Sequence, residues 1–385
     1  MRRDYPLRRK QQLEQRMYRI LLASTALISL AGVASAEITW SGQVQLGYNS
    51  EEEVEQGEGV IASAEIAPNL SVDLDYGLTA EAEATFVLLD VEGGGGVDTD
   101  DITDDFEVES YILRLSGEDF SMEFGTVDFA PDSMWKSAGD MEADGFSEAD
   151  GETGVLFSSS YGPLAVALSS VLHTNDFAAG NAGTGEFDQL GLAVNGEFDM
   201  FDVSFAYQDE AGYAYNNEND DFETDQIFAL SVGTSFEGIS ARLGYARNET
   251  DEEDSTGIEL GYDIQDFALG GYFVSESEGD DNWGVSVGYE SGPLAAEVYY
   301  EDEQGSYLTG LEGSYEVSET FKILAGYIDD EDPNDDGGAY VGAEFDLGNG
   351  ASFLVSYADA DAEDEDELGA PEFRNGATAL LTLEF

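Results

Sequence analysis

The chain has 385 residues and a formal net charge of −71, from 84 acidic and 13 basic side chains. It holds no cysteine, which excludes disulfides, zinc–thiolate sites and thiol catalysis. The acidic excess argues against nucleic acid as a partner, because phosphate binding needs clustered Lys and Arg. Aromatic residues make up 12% of the chain, too many for a disordered acidic tail.

The amino terminus carries most of the basic charge, since seven of the 13 basic residues precede residue 20. An apolar run from Ile20 to Leu30 follows, and then Ala34-Ser35-Ala36, which matches the A-x-A cleavage pattern. This order is typical of a secretory signal peptide, and the run is shorter than the ~20 residues of a spanning helix. We predict an extension plus cleavable signal over 1–36, with Met17 as an alternative start, and a mature chain over 37–385. Cleavage would leave 82 acidic and 6 basic residues, a net charge of −76.

Segments of about ten residues in the mature part alternate apolar with small or polar side chains, the pattern of β-strands. In the first, Trp40, Leu46 and Tyr48 share one face while Gln43 and Gln45 share the other. No segment has the periodicity of an amphipathic helix. The sequence therefore predicts an all-β fold.

Short and long connections alternate along the chain. Nine short turns are predicted, at 76–77, 117–119, 161–163, 237–238, 291–293 and 348–350 and near residues 198, 265 and 318. The long connections are acidic and lie at 49–59, 91–106, 128–153, 174–186, 212–223, 249–255, 330–337 and 361–373. Nine turns imply about 20 strands in up-and-down order. This alternation predicts a transmembrane antiparallel β-barrel with short periplasmic turns and long external loops.

Aromatic residues near the strand ends are expected to form two girdles at the membrane interfaces. We place one group beside the acidic loops: Tyr48, Tyr245, Tyr262, Tyr289, Tyr327 and Tyr357. We place the other beside the short turns: Phe120, Phe198, Phe236, Phe267 and Phe321.

The chain resembles the Gram-negative general porins, most closely the Rhodobacter-type porins of alphaproteobacteria. The resemblance rests on the leader, on EITWSGQVQLGY at 37–48, on YVGAEFDLGNGASFLVSY at 340–357 and on the terminal strand ending in Phe385. It implies a homotrimer of water-filled barrels in the bacterial outer membrane, in contact with its lipids and lipopolysaccharide, that passes small hydrophilic solutes. It also implies 16 strands, so an even number from 16 to 20 stays open.

Loop 128–153 is the candidate constriction of the pore, since in the resembling family the third loop folds into the barrel. Its candidate pore residues are Asp128, Asp132, Lys136, Asp140, Glu142 and Asp144. The apolar Met134, Trp135, Met141 and Phe146 are expected to pack it against the wall; the alternative is a disordered external loop. Family members oppose this loop with a basic cluster. This sequence departs from that pattern: Arg114, Arg242 and Lys322 have lumen-facing parity, and we take Arg114 and Arg242 as the candidate pore cations.

An excess of carboxylates in a water channel concentrates cations, so we predict a cation-preferring diffusion pore. The alternatives are a substrate-specific channel and an acidic surface or adhesive β protein. We predict no enzyme. The one histidine, His173, shares lumen-facing parity with Ser169, but it lies where a strand enters a long loop, and we expect it to be a rim residue instead of a catalytic base.

No cofactor is predicted. Asp332 begins half of a calcium-loop pattern, but its twelfth position is Ala343 instead of Glu. A weaker alternative is that acidic loops such as 51–53 and 363–367 bind Ca²⁺ loosely.

Overall fold

The protein is a closed β-barrel in the computed structural model, which describes residues 36–50, 59–91, 107–149, 152–173, 186–212, 222–330, 338–359 and 375–385. Within these residues, 20 strands pair antiparallel with their sequence neighbours, and β20 pairs with β1 to close the sheet. The first ten are β1 Ala36–Asn49, β2 Gly59–Asp73, β3 Thr79–Val91, β4 Glu107–Ser116, β5 Phe120–Gly125, β6 Gly154–Tyr161, β7 Leu164–His173, β8 Glu186–Phe198, β9 Phe201–Gln208 and β10 Ile227–Phe236. The others are β11 Ile239–Asn248, β12 Glu253–Ile264, β13 Phe267–Glu276, β14 Asn282–Ser291, β15 Leu294–Glu303, β16 Ser306–Ser318, β17 Phe321–Asp330, β18 Ala339–Gly348, β19 Ala351–Asp359 and β20 Gly376–Glu384.

All nine predicted short turns join consecutive strands at one end of the barrel, which we call the turn end. The 20 strands inferred from these turns are confirmed, and the 16 implied by the resemblance are too few for this chain. At the opposite loop end, three connections are also short: 249–252 between β11 and β12, where a long connection over 249–255 was predicted, 277–281 between β13 and β14, and 304–305 between β15 and β16.

Closure of the barrel joins the first and last strands, β1 and β20. The backbone N–H of Gly42 donates to the carbonyl oxygen of Phe385, and the N–H of Phe385 donates back to Gly42, both at 3.1 Å. A sheet closed in this way leaves no unpaired edge between β1 and β20.

The strands present apolar side chains outward and small or polar ones inward. On β1, Trp40 and Leu46 are each 57% exposed, which places them on the outer face, while Gln43 and Gln45 point inside. The terminal Phe385 is 62% exposed on the same outer face. Large apolar side chains exposed to this degree repeat around the barrel and form a continuous outer apolar surface.

The aromatic girdles follow the prediction except at two positions. The five phenylalanines lie at the turn end, and Tyr48, Tyr245, Tyr327 and Tyr357 lie at the loop end. Tyr262 and Tyr289 were placed wrongly, since each lies two residues before the turn-end limit of β12 or β14. The ring of Tyr289 lies 4.8 Å from that of Phe267, between centroids, within the turn-end girdle.

Helical structure in the described residues is confined to short segments. Helix α1, Ala130–Met134, lies in the connection from β5 to β6, where a 3-10 turn also spans Glu142–Asp144. A second 3-10 turn, Asp75–Gly77, joins β2 to β3. None of the described helices is long and apolar enough to cross a membrane.

Candidate pore constriction

The described residues 126–149 of the third long loop lie against the inner wall of the barrel, from β7 around to β14. The contacted wall residues alternate with outward apolar ones. Ser231, for example, is 1% exposed and lies between Leu230 and Val232, which are 47% and 44% exposed on the outer face. The loop therefore occupies the lumen side of the wall.

Four buried serines of the inner wall satisfy backbone groups of the loop. Hydrogen bonds of this kind are needed because a buried backbone N–H or C=O without a partner costs free energy. The bonds run from Ala130 N–H to Ser169 Oγ (2.8 Å), from Ser204 Oγ to the Met134 carbonyl (3.3 Å), from Ser231 Oγ to the Lys136 carbonyl (2.6 Å) and from Ala143 N–H to Ser255 Oγ (2.9 Å). They fix the loop at points on four different strands.

Apolar side chains of the loop complete its attachment. Met141, Ala143 and Phe146 form one buried cluster with the inward residues Ala206, Ile227, Ala229, Ala246 and Val274 of the wall. Trp135 packs against this cluster, and its ring lies edge-on to Phe146 at a centroid distance of 6.3 Å. Phe129 and Ala130 anchor the start of the loop in two further clusters.

Asp144 braces the loop from inside. Its Oδ2 accepts hydrogen bonds from Trp135 Nε1 at 2.6 Å and from Ser137 Oγ at 2.8 Å. Burial raises the pKa of Asp144 to about 6, although the two donated hydrogen bonds act in the opposite direction. Asp144 therefore holds the loop together internally and does not line the open lumen.

Asp140 and Glu142 lie in the middle of the loop sequence, at the point where the loop reaches β14. Asn282 Nδ2 is shared between Asp140 Oδ2 at 3.0 Å and Glu142 Oε1 at 3.1 Å. Partial burial, and then the charge of Glu142, raise the pKa of Asp140, while the hydrogen bond from Asn282 lowers it. Both carboxylates are exposed to the lumen at this end.

Asp128 and Asp132 lie at the start of the loop, the latter in α1. Partial burial raises the pKa of Asp132 to about 6, assisted by the negative charges of Glu148 and Asp128. This part of the loop therefore concentrates negative charge on the lumen side, away from the Asn282 contact.

Lys136 and Arg242 meet at one wall carboxylate, Asp202 of β9. Arg242 Nη2 lies 2.7 Å from Asp202 Oδ2, and Lys136 Nζ lies 4.0 Å from the same oxygen and 3.8 Å from Glu197. Arg242 also donates to Ser231 Oγ at 3.0 Å, so it supports the serine that holds the loop.

Arg114 does not join this group. It lies on β4, where it pairs with Glu123 at 3.1 Å and Glu81 at 3.4 Å on the neighbouring strands. The two predicted wall arginines are therefore separated by the strands β5 to β10, and they do not form one basic cluster opposite the loop.

Every Lys and Arg in the described part of the chain lies within 4.0 Å of a carboxylate. Besides Arg114, Lys136 and Arg242, this holds for Arg247, which pairs with Glu249 and Asp254, and for Lys322, which pairs with Glu344. Arg374, the sixth cation of residues 37–385, lies outside the described residues. No described cation is therefore left to offset the remaining carboxylates.

Sequence reasoning missed the wall partners of the loop. The sequence marks these partners only as inward-facing, a property that they share with many small and polar residues. They are Asp202, Asn282 and the four serines. Asp332 and the acidic runs 51–53 and 363–367 lie outside the described residues. Among those that are described, no group of three or more Asp, Glu or His is placed to hold a metal ion.

Comparison with known proteins gives one family match. Residues 23–365 match the sequence model of a family described as Gram-negative porin. No curated protein matches the chain. Among solved structures, a triple mutant and a double mutant of the Rhodobacter blastica porin are similar at 15% and 16% identity, with TM-scores of 0.42 and 0.43. A loop-deletion mutant of OmpT, an outer-membrane protein of Vibrio cholerae, is similar at 14% identity and a TM-score of 0.42. Each similarity covers 91% of this chain and 100% of the other.

Proposed function

The chain belongs to the Gram-negative porin family, and from that premise we propose that it forms a cation-preferring diffusion pore for ions and small hydrophilic solutes. The family places it in the bacterial outer membrane as a porin channel. The cation preference is our addition to what the family establishes.

One observation carries the proposed preference: all five described cations are engaged by carboxylates, so the uncompensated charge is negative. A water-filled channel in a low-dielectric wall focuses such a field, which raises the local concentration of cations and lowers that of anions. Loop 128–153, with Asp128, Asp132, Asp140 and Glu142, is proposed as the constriction at which this field acts on a passing ion.

The zero-current potential of the protein in a planar bilayer tests this proposal directly. Under a KCl gradient, a cation-preferring pore develops a potential with the sign of K⁺ diffusion. A potential with the sign of Cl⁻ diffusion contradicts it. A potential near zero shows a pore without preference and contradicts it as well.

The assembly is proposed to be a homotrimer, as the resemblance to Rhodobacter-type porins implies. Native mass spectrometry of detergent-extracted protein tests this, together with a loss of the trimer band on heating before electrophoresis. A monomer under both conditions contradicts the proposal. Contacts with lipopolysaccharide at the acidic loops belong to the same proposal, and they are tested by co-purification with and without a divalent-ion chelator.

A further inference from the structure

Loop 128–153 is contacted by a second connection of the loop end, the one that joins β9 to β10. Of this connection, the structure describes residues 209–212 and 222–226. Its second part lies inside the barrel, because Phe222 is only 7% exposed and packs on the inner wall. We call residues 222–225 the inner segment.

The inner segment packs against the start of the loop through one aromatic ring. Phe222 lies edge-on to Phe129, with 5.8 Å between the ring centroids. Both rings are buried together with Val171 of the inner wall. Ala149, near the other end of the loop, also packs against this cluster. One buried cluster therefore joins both ends of the loop to the inner segment.

Hydrogen bonds attach the end of the loop to the same segment. The buried Ser147 donates from its hydroxyl to the Glu223 carbonyl oxygen at 2.7 Å, and from its N–H to Gln208 Oε1 at 2.9 Å. Gln208 Nε2 donates to the carbonyl oxygens of Glu223 at 3.2 Å and of Asp225 at 3.1 Å. One wall side chain, buried at the end of β9, therefore bridges the loop and the inner segment.

A strained residue of β8 supplies a third donor to the Glu223 carbonyl oxygen. Gln189 has a φ of +37°, a conformation that residues other than glycine rarely adopt. It is the extra residue of a β-bulge, because its two neighbours pair with consecutive residues of β7. A bulge changes the direction of a side chain, and here it brings Gln189 Nε2 to 2.6 Å from the Glu223 oxygen. Strain of this kind persists where the surrounding structure holds it, and it is concentrated at functional sites.

We propose that the inner segment is a latch that holds loop 128–153 at both ends and thereby sets the size limit of the pore. The wall serines described above bind the loop between residues 130 and 143, whereas the inner segment binds Phe129 and Ser147, which flank that stretch. The side chains that form the latch are buried, so they act on a passing solute only through the position of the loop. This inference rests on the proposed function, since a latch limits solute size only if the loop is the constriction.

Two substitutions break the latch, and trypsin cleavage after Lys136 reports release of the loop. Phe222→Ala removes the ring, and Gln208→Met removes three hydrogen bonds at nearly constant side-chain length. We expect each to raise the cleavage rate at least about tenfold, since proteolysis follows the population of the open form and both changes remove buried contacts. Phe222→Leu keeps an apolar side chain in the cluster and should restore most of the resistance.

Matched controls change the same residue types close by, where their contacts lie on the outer face. Phe228 of β10 pairs with the ring of Tyr245 at 6.0 Å, and Gln226 Nε2 donates to the Tyr207 hydroxyl at 2.8 Å. Phe228→Ala and Gln226→Met are therefore expected to resist trypsin as the wild type does. Release of the loop to the same extent in these controls would overturn the latch.

Liposome swelling with neutral sugars of increasing size measures the size limit itself. We expect Phe222→Ala and Gln208→Met to admit larger sugars than the wild type and to show a higher single-channel conductance. Phe222→Leu and both controls should keep the wild-type limit. If either latch variant fails to insert into bilayers, Gln189→Met decides the question. It removes one donor to Glu223 and is expected to raise the cleavage rate about two- to tenfold, with a size shift in the same direction.

Wild-type trypsin resistance in the latch variants overturns the latch and leaves the loop as the constriction. Faster cleavage with an unchanged size limit shows that the loop does not constrict the pore, which overturns the latch together with that part of the proposed function. The KCl-gradient potential of the unmodified protein is read separately. Anion preference there overturns the proposed cation preference and leaves the latch.

Discussion

Ala138 of the loop lies so close to Gly257 of β12 that a β-carbon at position 257 would overlap the Ala138 carbonyl oxygen. The loop can approach the wall at this point only because residue 257 has no side chain. We expect Gly257→Val to displace the loop from β12, at a cost of about 1–3 kcal/mol of loop attachment, as for other overpacked sites.

Trypsin provides the readout for this displacement, because the loop carries a cleavage site after Lys136. The folded wild-type protein is expected to resist, and Gly257→Val to be cut there into two fragments under the same conditions. Gly288→Val is the control: it also adds a side chain to an inward glycine, but its β-carbon meets Ala268 at an ordinary 3.6 Å. Equal resistance of the two variants would show that the Ala138 contact does not hold the loop.

The raised pKa of Asp144 is expected to make the stability of the folded protein depend on pH. Its pKa is raised from 3.8 to about 6, so the folded protein holds this proton more tightly than the unfolded chain. The protonated carboxyl therefore stabilises the folded state below about pH 4. The free energy of unfolding is expected to fall by about 2–3 kcal/mol as the pH rises from about 4 to about 6.

Asp144→Asn is expected to remove this pH dependence while keeping the loop intact. Both hydrogen bonds to Asp144 reach the same oxygen, Oδ2, and the amide oxygen of Asn can accept both. Denaturant unfolding in detergent micelles between pH 4 and pH 8 measures the difference. Asp119→Asn, in the exposed turn between β4 and β5, should retain the wild-type profile; an unchanged profile in Asp144→Asn would refute the assignment.

The raised pKa of Asp132 is expected to make the cation preference of the pore depend on pH. Its pKa is raised to about 6, so its negative charge on the lumen side is present at pH 7 and is lost as the pH falls through about 6. We expect the zero-current potential in a KCl gradient to decrease in that interval. In Asp132→Asn this step should be smaller, and the preference at pH 7 should already be lower.

Removing the Asp202 carboxylate is expected to weaken the cation preference of the pore. Asp202→Asn removes a carboxylate that Arg242 and Lys136 share, which leaves both positive charges less compensated. We expect the K⁺/Cl⁻ permeability ratio to fall, by less than about fivefold, which corresponds to the ~1 kcal/mol upper range of such ion pairs. Glu83→Gln, which removes an inward carboxylate from β3, should cause a smaller decrease.

The barrel could be predicted from the sequence because its determinants are local. Strand alternation and turn residues repeat along the chain, so counting turns yields 20 strands without knowledge of any long-range contact. The positions of Tyr262 and Tyr289 could not be obtained in this way. Alternation with a period of two shows the face on which a residue lies, but not the end of the barrel it is near. The loop-end connections at 249–252, 277–281 and 304–305 are as short as turns, so connection length does not separate the two ends of the barrel in this region.

The candidate site was less predictable than the barrel. The residues of loop 128–153 were visible as an acidic segment with unexplained apolar side chains. The wall residues that bind the loop were not visible in the sequence. An inward serine such as Ser231 bonds to the loop only because a segment about 95 positions away passes next to it in the folded barrel. Pairing of Arg242 with Asp202, 40 positions apart, has the same origin.

Complete pairing of the described cations has a consequence for conduction in dilute salt. The unpaired carboxylates must be neutralised by mobile counterions, which remain in the lumen even when the bath is nearly free of salt. At 10 mM ionic strength the screening length is ~30 Å, so the fixed charge attracts counterions well beyond contact distance. The number of mobile cations in the lumen is then determined by the fixed carboxylates and not by the bath. The conductance should therefore level off at a plateau as the salt is diluted.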